Sequence, residues 1–345
     1  MLPVAIDISD TIIRLIGLER RGRSWKIHVR SEIAVAPGFI NDGDIQQPAQ
    51  VSELLHSLAE ASDLHSKDVV ITLPERHTFV KLITLPAGDN KAIPELVATT
   101  MTQHIPYNPD EMYWDWERVN SGQTGTDTRI LLGAAPRTTV DQYLSVFSEA
   151  GLRVTVAEIE SLAIVRALFG PKPPDEPRII VDLGRTRSTL ILIHHGVVQF
   201  SRTLRYAGRE LNRFIADELH ISDDQAERAK TLFGLDATRG KGLLRAVLAP
   251  HIDAIANGIA EVENFFEEHY VDHEPILKIH LTGSGAILRN IDRELQMRLK
   301  QVVVVEPSWV YTELLKSHRD LSPELGYSYT TAFGLAIRPW LTTQT

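Results

Sequence analysis

The chain has 345 residues, of which 43% are hydrophobic and 23% charged, and carries a formal net charge of −9. That length supports two lobes, each with its own core, and the acidic balance excludes a global basic field for nucleic acid. The absence of cysteine excludes disulfides and thiolate metal sites and points to a reducing cytoplasm, while no signal-like start and no apolar run of about 18 residues argue against direct membrane insertion.

In chain order, Val4–Ile8 and Thr11–Leu18 read as consecutive strands, and "SWKIHVRSEIAVA" alternates like a third. "QVSELLHSLAEAS", residues 50–62, places Val51, Leu54, Leu55 and Leu58 on one helical face. A buried strand "DVVITLP" follows. Next come the strand "HTFVKLITLP", a helix over 92–105, the strand "MYWDWERV", a polar loop "NSGQTGTDT" and the strand "RILLGAA". The loop is made of turn formers, so it joins two hairpin strands. "TTVDQYLSVFSEAG" is an amphipathic helix stopped by Gly151. Strand "RVTVAEI" and helix "ESLAIVRALFG" lead into "PKPPDEP", a proline-rich hinge that cannot continue a helix.

After the hinge the pattern restarts, with strands at Ile179–Asp182, Thr189–Ile193 and Val197–Thr203. Helices follow around "GRELNRFIADELH", "DDQAERAKTLFG" and the long "RAVLAPHIDAIANGIAEVENFFEEHY". "ILKIHLTGSG" is a strand entering a glycine turn, "AILRNIDRELQMRLK" the helix after it, and "VVVVEP" and "TTAFGLAIRPW" finish the chain. Each half thus opens with a β-meander and continues with αβ units, which is a mixed α/β chain with an internal duplication.

The duplication carries chemistry. "VAIDISDTIIRLIGLE" from Val4 and "IIVDLGRTRSTLILIHHGVVQF" from Ile179 both read strand, Asp, small residues, turn, strand. Small side chains let backbone N–H groups approach phosphate oxygens, and a carboxylate holds Mg²⁺ directly or through water. Two such turns facing one cleft would grip a nucleotide's phosphates from both sides. Other features carry less. "GLDATRGKG" from Gly234 has one residue too many for a phosphate loop, and Gly242 stands where Ser or Thr should bind the metal. His194 and His195 precede Gly196 and read as a hairpin turn. Tyr113, Trp114 and Trp116 read either as alternating core aromatics or as anchors of a partner groove.

On these motifs the chain resembles the actin-like ATPase superfamily and, within it, the PilM family of type IV pilus assembly proteins. "DISDTIIR" stands at the first phosphate loop, "VDLGRTRSTL" at the second, and "HLTGSGAILRNIDREL" at the adenosine glycine turn. "AGRELNRFIADEL" and "DDQAERAKTLFGL" are similar to the segments after the second loop, and "MTQHIPYNPDE" to a stretch of the family's inserted subdomain. The resemblance implies an actin-like, ribonuclease H-like duplicated two-lobed fold. It implies a first lobe over 1–77, 156–176 and 322–345, a second over 177–321, and an inserted partner-binding subdomain over 78–155.

The resemblance also implies ATP and Mg²⁺ as cofactors. Asp7 and Asp182 would hold the metal; Ser9, Asp10, Thr11, Gly184, Arg185 and Thr186 would form the two loops, and Arg14 would face the phosphates. Gly208 would place a helix N-terminus near them. Glu227 and Lys230 would flank the adenine or ribose, and Gly283, Ser284 and Gly285 would pass under the nucleoside. Glu160 would orient the attacking water in any hydrolysis. The implied partner is the cytoplasmic N-terminal peptide of a PilN-like inner-membrane protein, bound along "HIPYNPDEMYWDW"; other pilus assembly proteins and self-association are further expectations.

The sequence departs from the family pattern at four positions. Ser9 replaces a glycine, Asp10 replaces Ser or Thr, and Arg185 and Arg187 replace small polar residues. Asp10 adds negative charge beside a polyphosphate; the arginines either neutralise phosphates or occupy their space. Nucleotide binding with slow or absent turnover is the resulting expectation. The alternatives are a small-molecule kinase, for which no acidic acceptor cluster stands near the second loop, and an FtsA-like filament former, whose usual terminal amphipathic helix has no counterpart in "GLAIRPWLTTQT".

Overall fold

Two short apolar strands buried on both faces organise the chain. β1 (Val4–Ile8) and β12 (Ser188–His194) are buried along their whole length. Around β1 lie β2 (Ile12–Arg21), β3 (Ser24–Ala34), β6 (Asp68–Leu73) and β10 (Arg153–Ile159), in the order β10-β6-β1-β2-β3. β4 (Ile40–Asn41) and β5 (Asp44–Ile45) form a separate hairpin. Around β12 lie β11 (Arg178–Leu183), β13 (Val197–Leu204), β14 (Lys278–Thr282) and β15 (Val302–Val305), in the order β15-β14-β11-β12-β13. In each sheet an antiparallel meander is followed by two parallel strands on the far side of the first. The two halves therefore share one topology, as the repeated Asp turns imply. The computed structural model describes residues 3–22, 24–64, 66–85, 94–97, 99, 108–119, 128–204, 206–270, 274–318 and 321–342.

Helices cover both faces of each sheet, because strands buried on both sides need apolar partners above and below. Val51 and Leu55 of helix Pro48–Ala61 and Val146 and Phe147 of helix Arg137–Glu149 close on Ile6, Leu15 and Ile71. On the other face, Phe333 and Ile337 of helix Thr330–Thr342 pack with Ala163, Ala167, Ile16 and Val70. In the second lobe, helices Gly208–Leu219, Asp223–Phe233 and Leu243–His269 bury Ile215, Ala226, Leu248 and Ile259 against Ile179, Val181 and Leu190. Each such aliphatic side chain contributes roughly 1.5–3 kcal/mol.

Helix Glu160–Phe169 is shared between the lobes. Ala163 and Ala167 face the first sheet, while Ile164, Val165 and Leu168 face Ile180, Ile191 and Ile193 of the second. Its approach to the C-terminal helix is very close: a Cβ on Gly334 would lie 1.8 Å from the Ala163 carbonyl oxygen. Only glycine fits there.

Residues 78–155, expected as one inserted unit, divide in two. β7 (Phe79–Leu85), β9 (Thr128–Pro136) and β8 (Met112–Arg118) extend the second sheet through a Phe200–Lys81 pairing, giving eight strands. Helix Arg137–Glu149 and β10 pack instead in the first lobe, because Tyr143, Val146 and Phe147 complete its core. Val310, Tyr311 and Leu314, expected with the second lobe, also pack with the first-lobe cluster. The helix expected over 286–300 is broken: a 3₁₀ turn Ser284–Ile287 leads to a short helix Ile291–Gln296, with Asn290 left-handed at φ +65° between them. Most of the helix expected over 92–105, and the polar loop over 120–127, lie outside the described residues.

Candidate functional site

The two Asp turns approach one another, with Arg187 of the second reaching Asp10 of the first. Asp7 sits near the end of β1, directly opposite Arg14 across the β1–β2 hairpin, and accepts a 3.2 Å hydrogen bond from the Thr72 hydroxyl. Burial pushes its carboxyl up from the ordinary value, against the pull of Arg14, Thr72 and Arg187. Asp182, near the end of β11, is pushed up to about 7, first by burial and then by the charge of Asp7. The charge of Asp7, in the first lobe, thus reaches Asp182 in the second.

Other acids gather around them. Glu160, first residue of the shared helix, is pushed up to about 8, mainly by burial, with Arg187 pulling it down and Asp7, Asp182 and Glu75 adding to the rise. Glu75 is buried and accepts from the Ser161 backbone N–H at 2.9 Å and from the Ser201 hydroxyl, tying the first lobe to β13 of the second. Arg187 leaves the β11–β12 turn and reaches the first lobe, with Nη1 3.6 Å from Asp10 and Nε 3.9 Å from Glu160. Asp10 itself accepts from the backbone N–H groups of Asp42 at 3.0 Å and Gly43 at 2.9 Å.

The adjoining cavity belongs to the second lobe. It encloses about 240 Å³ and is lined by Leu183, Gly184, Arg185, Tyr206, Gly208, Leu211, Glu227, Lys230, Ser284, Gly285, Ile287, Leu288 and Ile291, among others. Its apolar wall suits a planar base, and its polar rim suits a ribose. On that rim Lys230 donates to Asn212 Oδ1 at 2.6 Å, Glu227 at 3.2 Å and the Gly208 carbonyl at 3.4 Å, while Asn212 donates to Glu227. Burial holds the Lys230 ammonium below its usual range despite Glu227. For Glu227, burial is outweighed by the hydrogen bond from Asn212 and by Lys230, so its carboxyl lies low.

The glycines of the second lobe make close backbone approach possible. Gly283 has φ +81° and ψ 169°, a conformation essentially restricted to glycine. A Cβ there would stand 2.4 Å from Asp182 Oδ1, and one on Gly184 would stand 2.3 Å from the Arg187 carbonyl oxygen. Gly208 is different. Its N–H donates to the Gly184 carbonyl at 3.1 Å, Arg209 N–H donates to the Arg185 carbonyl at 2.8 Å, and a Cβ would meet nothing nearer than 3.6 Å. The first two donors of that helix, expected to face phosphates, are already used in holding the second turn.

The sequence-selected residues therefore fall into two groups. Asp7, Asp10, Glu160 and Asp182 gather at the cleft; Gly184, Arg185, Gly208, Glu227, Lys230, Ser284 and Gly285 line the cavity. Ser9 and Thr11 serve their own loop: Ser9 Oγ donates to the Ile12 carbonyl at 2.8 Å, and the Thr11 carbonyl accepts from Val35 at 2.9 Å. No described contact links Thr186 to either group. Arg14 has turned towards Glu32, 3.6 Å away, and over the Tyr329 ring, although its charge still acts on Asp7. Glu75, Asn212 and the reach of Arg187 were missed by sequence reasoning; each is a single polar residue in an unremarkable local pattern, and only the tertiary fold gives it partners.

Among the described residues no group of three or more acidic or histidine side chains is placed to hold a metal ion by itself. Asp7 and Asp182 nonetheless fit Mg²⁺, which takes one or two carboxylates and completes its shell with water and phosphate oxygens. Their charge is partly offset, since Arg14 and Arg187 pull both carboxyls down while Asp7 raises Asp182.

A second concavity, about 880 Å³, runs along β8. Every residue from Tyr113 to Arg118 borders it, together with Leu131, Ala157, Leu162, Val165, Pro171, Val197 and Leu341. Consecutive strand residues point to opposite faces, so it is the open edge of β8, the last strand of the eight-stranded sheet, that the groove follows. Below it Arg166 donates to both oxygens of buried Glu158, one at 2.7 Å, and to the Gly334 carbonyl at 3.0 Å.

Two lobes whose five-stranded sheet cores share one topology, each carrying an acidic turn towards the other, define the actin-like fold. MreB5 of Spiroplasma citri bound to ADP matches over 99% of this chain and 97% of its own, at 13% identity and a TM-score of 0.58. The ethanolamine utilization protein EutJ from Carboxydothermus hydrogenoformans matches over 97% and 89%, at 15% identity and a TM-score of 0.56. The type IV pilus assembly protein PilM family model matches residues 5–340, and the chain belongs to that family. A solved PilM-PilN type IV pilus biogenesis complex matches over 97% of this chain and 98% of its own, at 19% identity and a TM-score of 0.80.

Proposed function

We propose that the protein is a nucleotide-binding scaffold of type IV pilus assembly that holds the N-terminal peptide of a PilN-like inner-membrane protein. The observation that carries the nucleotide half is the cavity of about 240 Å³ opening beside the Asp7–Asp182 cleft. Its apolar wall of Ile287, Leu288 and Ile291 takes the base, and the Glu227–Lys230–Asn212 network takes the ribose. The actin-like fold makes ATP the proposed nucleotide, with Asp7 and Asp182 the residues that would hold Mg²⁺. The metal's contribution is to neutralise phosphate charge.

Turnover is slow or absent on this reading. Glu160, pushed up to about 8, is largely protonated near neutrality and orients water only as a neutral acid.

The β8 edge supports the partner half. An extended peptide can add to the sheet there by strand addition, with Trp114, Trp116 and Leu131 receiving its apolar side chains. The partner's cytoplasmic segment fixes this chain's location at the inner face of the membrane; no described helix is long and apolar enough to cross it. His104 to Tyr107 of the expected lining lie outside the described residues. Titration of a synthetic partner peptide against the purified protein, with and without MgATP, tests the reading. Saturable binding that a charge at Val197 (Val197→Asp) abolishes is expected; no binding in either state overturns it.

A further inference from the structure

The second turn sends a cation into the first lobe. Arg187 is buried, with its side chain 11% exposed, and stands 3.6 Å from Asp10 through Nη1 and 3.9 Å from Glu160 through Nε. Both separations exceed a hydrogen bond's reach of about 3.2 Å, so the attraction is one of charge across a buried gap. Two of the chain's charged departures from its family's pattern, Asp10 and Arg187, are therefore partners, one on each turn.

Without this cation, closing the lobes would press like charges together. The first lobe presents Asp7, Asp10 and Glu75, and the shared helix presents Glu160, to a turn that carries an acid of its own, Asp182; Asp7 and Glu75 both act on it as like charges. Arg187 sits on the same turn as Asp182 and attracts Asp7, Glu75, Glu160 and Asp182 alike. The other cation acting on Asp7 and Asp182 is Arg14, which has turned towards Glu32. Other ties between the lobes are the Ser201 hydroxyl on Glu75, the Thr282–Thr330 hydroxyl pair at 2.9 Å and the Phe200–Lys81 pairing. None of these brings positive charge to the turns.

Asp10 is fixed in place to receive it. Its carboxylate accepts from the N–H groups of Asp42 and Gly43 at the tip of the β4–β5 hairpin, at 3.0 and 2.9 Å. That tip is held in turn by the Tyr143 hydroxyl, which donates to the Gly43 carbonyl at 2.8 Å, and by Arg76 paired with Asp42. A Cβ on Gly43 would lie 3.1 Å from Arg187 Nη1, so the hairpin backbone borders the guanidinium. A buried pair whose acid is already ordered loses little freedom on forming, and removing one partner leaves the other charge uncompensated.

We propose that the Asp10–Arg187 pair is an interlobe latch that draws the two acidic turns together with the chain's own charges, so that closure needs no nucleotide. The latch does not depend on the nucleotide reading above. It bears on the partner groove as well, because Ala157 of the first sheet and Val197 of the second both border that groove, and closure sets the distance between them.

The test uses pulsed electron–electron double resonance on protein stripped of nucleotide. The chain has no cysteine, so spin labels can be placed at two exposed helix positions, Glu53→Cys in the first lobe and Asp224→Cys in the second. The labelled parent is expected to give one narrow distance that MgATP leaves unchanged. Arg187→Gln should broaden that distance or move its mean by more than about 2 Å, the scale of a domain rearrangement. Arg187→Lys, which keeps the charge, should stay close to the parent, and Asp10→Asn with Arg187→Gln should move no further than Arg187→Gln alone. A folded Arg187→Gln with the parent's distance overturns the latch. So does an Arg187→Lys that opens as far as Arg187→Gln, since shape and not charge would then hold the turns. A parent that is broad or open until MgATP is added overturns it without any variant of the pair having to fold.

Discussion

Gly283→Ala probes the join between fold and cleft. The alanine would have to adopt φ +81° and ψ 169°, which for a residue with a Cβ costs about 1–3 kcal/mol. Its methyl would lie 2.4 Å from Asp182 Oδ1 and 2.7 Å from the Leu183 carbonyl oxygen, so turn and strand must part by roughly an ångström, an overpacking of about 1–3 kcal/mol more. A total of about 2–6 kcal/mol, at about 2–4 °C per kcal/mol for a large chain, lowers the melting temperature by roughly 4–24 °C. Ser284 and Gly285 ride on the same turn and line the cavity, so ATP affinity should fall at least tenfold in the folded variant. Differential scanning calorimetry and ATP titration on one preparation measure both. A variant that melts within about 2 °C of wild type and binds ATP equally would refute the close packing of this turn on Asp182.

Gly184→Ala and Gly208→Ala should separate sharply in the same ATP titration. The first drives a Cβ to 2.3 Å from the Arg187 carbonyl and abolishes binding, whereas the second meets nothing nearer than 3.6 Å and keeps affinity within about twofold. The Glu160 carboxyl, raised from 4.5 to about 8, favours the folded state only while protonated, so ligand-free stability should decline as pH rises from about 4.5 to 8. Denaturant melts across that range should show a shallower decline for Glu160→Gln; identical slopes would contradict the burial argument. Arg166→Ala leaves Glu158 buried without its two-point partner and should cost about 3–5 kcal/mol by urea melts, with a loss below 1 kcal/mol counting against it.

Much of the architecture was legible because it rests on local periodicity. The repeated strand–Asp–turn–strand, the glycine turn at 283–285 and the amphipathic helices each leave a signal within about 15 residues. The capping box at Ser222 and Gln225 likewise begins the helix carrying Glu227 and Lys230 where the pattern placed it. Partner choice between distant elements was not legible. The apolar stripe of helix Arg137–Glu149 tells which of its faces is buried but not that it closes the first sheet rather than the inserted strands. Alternation in β7 marks a strand, yet nothing in it announces the Lys81–Phe200 pairing that makes one sheet of eight. At the site, Asp7 and Asp182 could be read because small residues follow them. Arg187 was read only as a departure, since its burial among first-lobe acids depends on how the two lobes close.

The most direct measurement is calorimetric titration of MgATP into the wild-type protein and into Asp182→Ala. One-to-one binding by the wild type is expected, weakened at least tenfold in a variant that remains folded. A wild type that takes up no nucleotide, or an Asp182→Ala protein that binds as tightly as its parent, would contradict a nucleotide held between the two acidic turns.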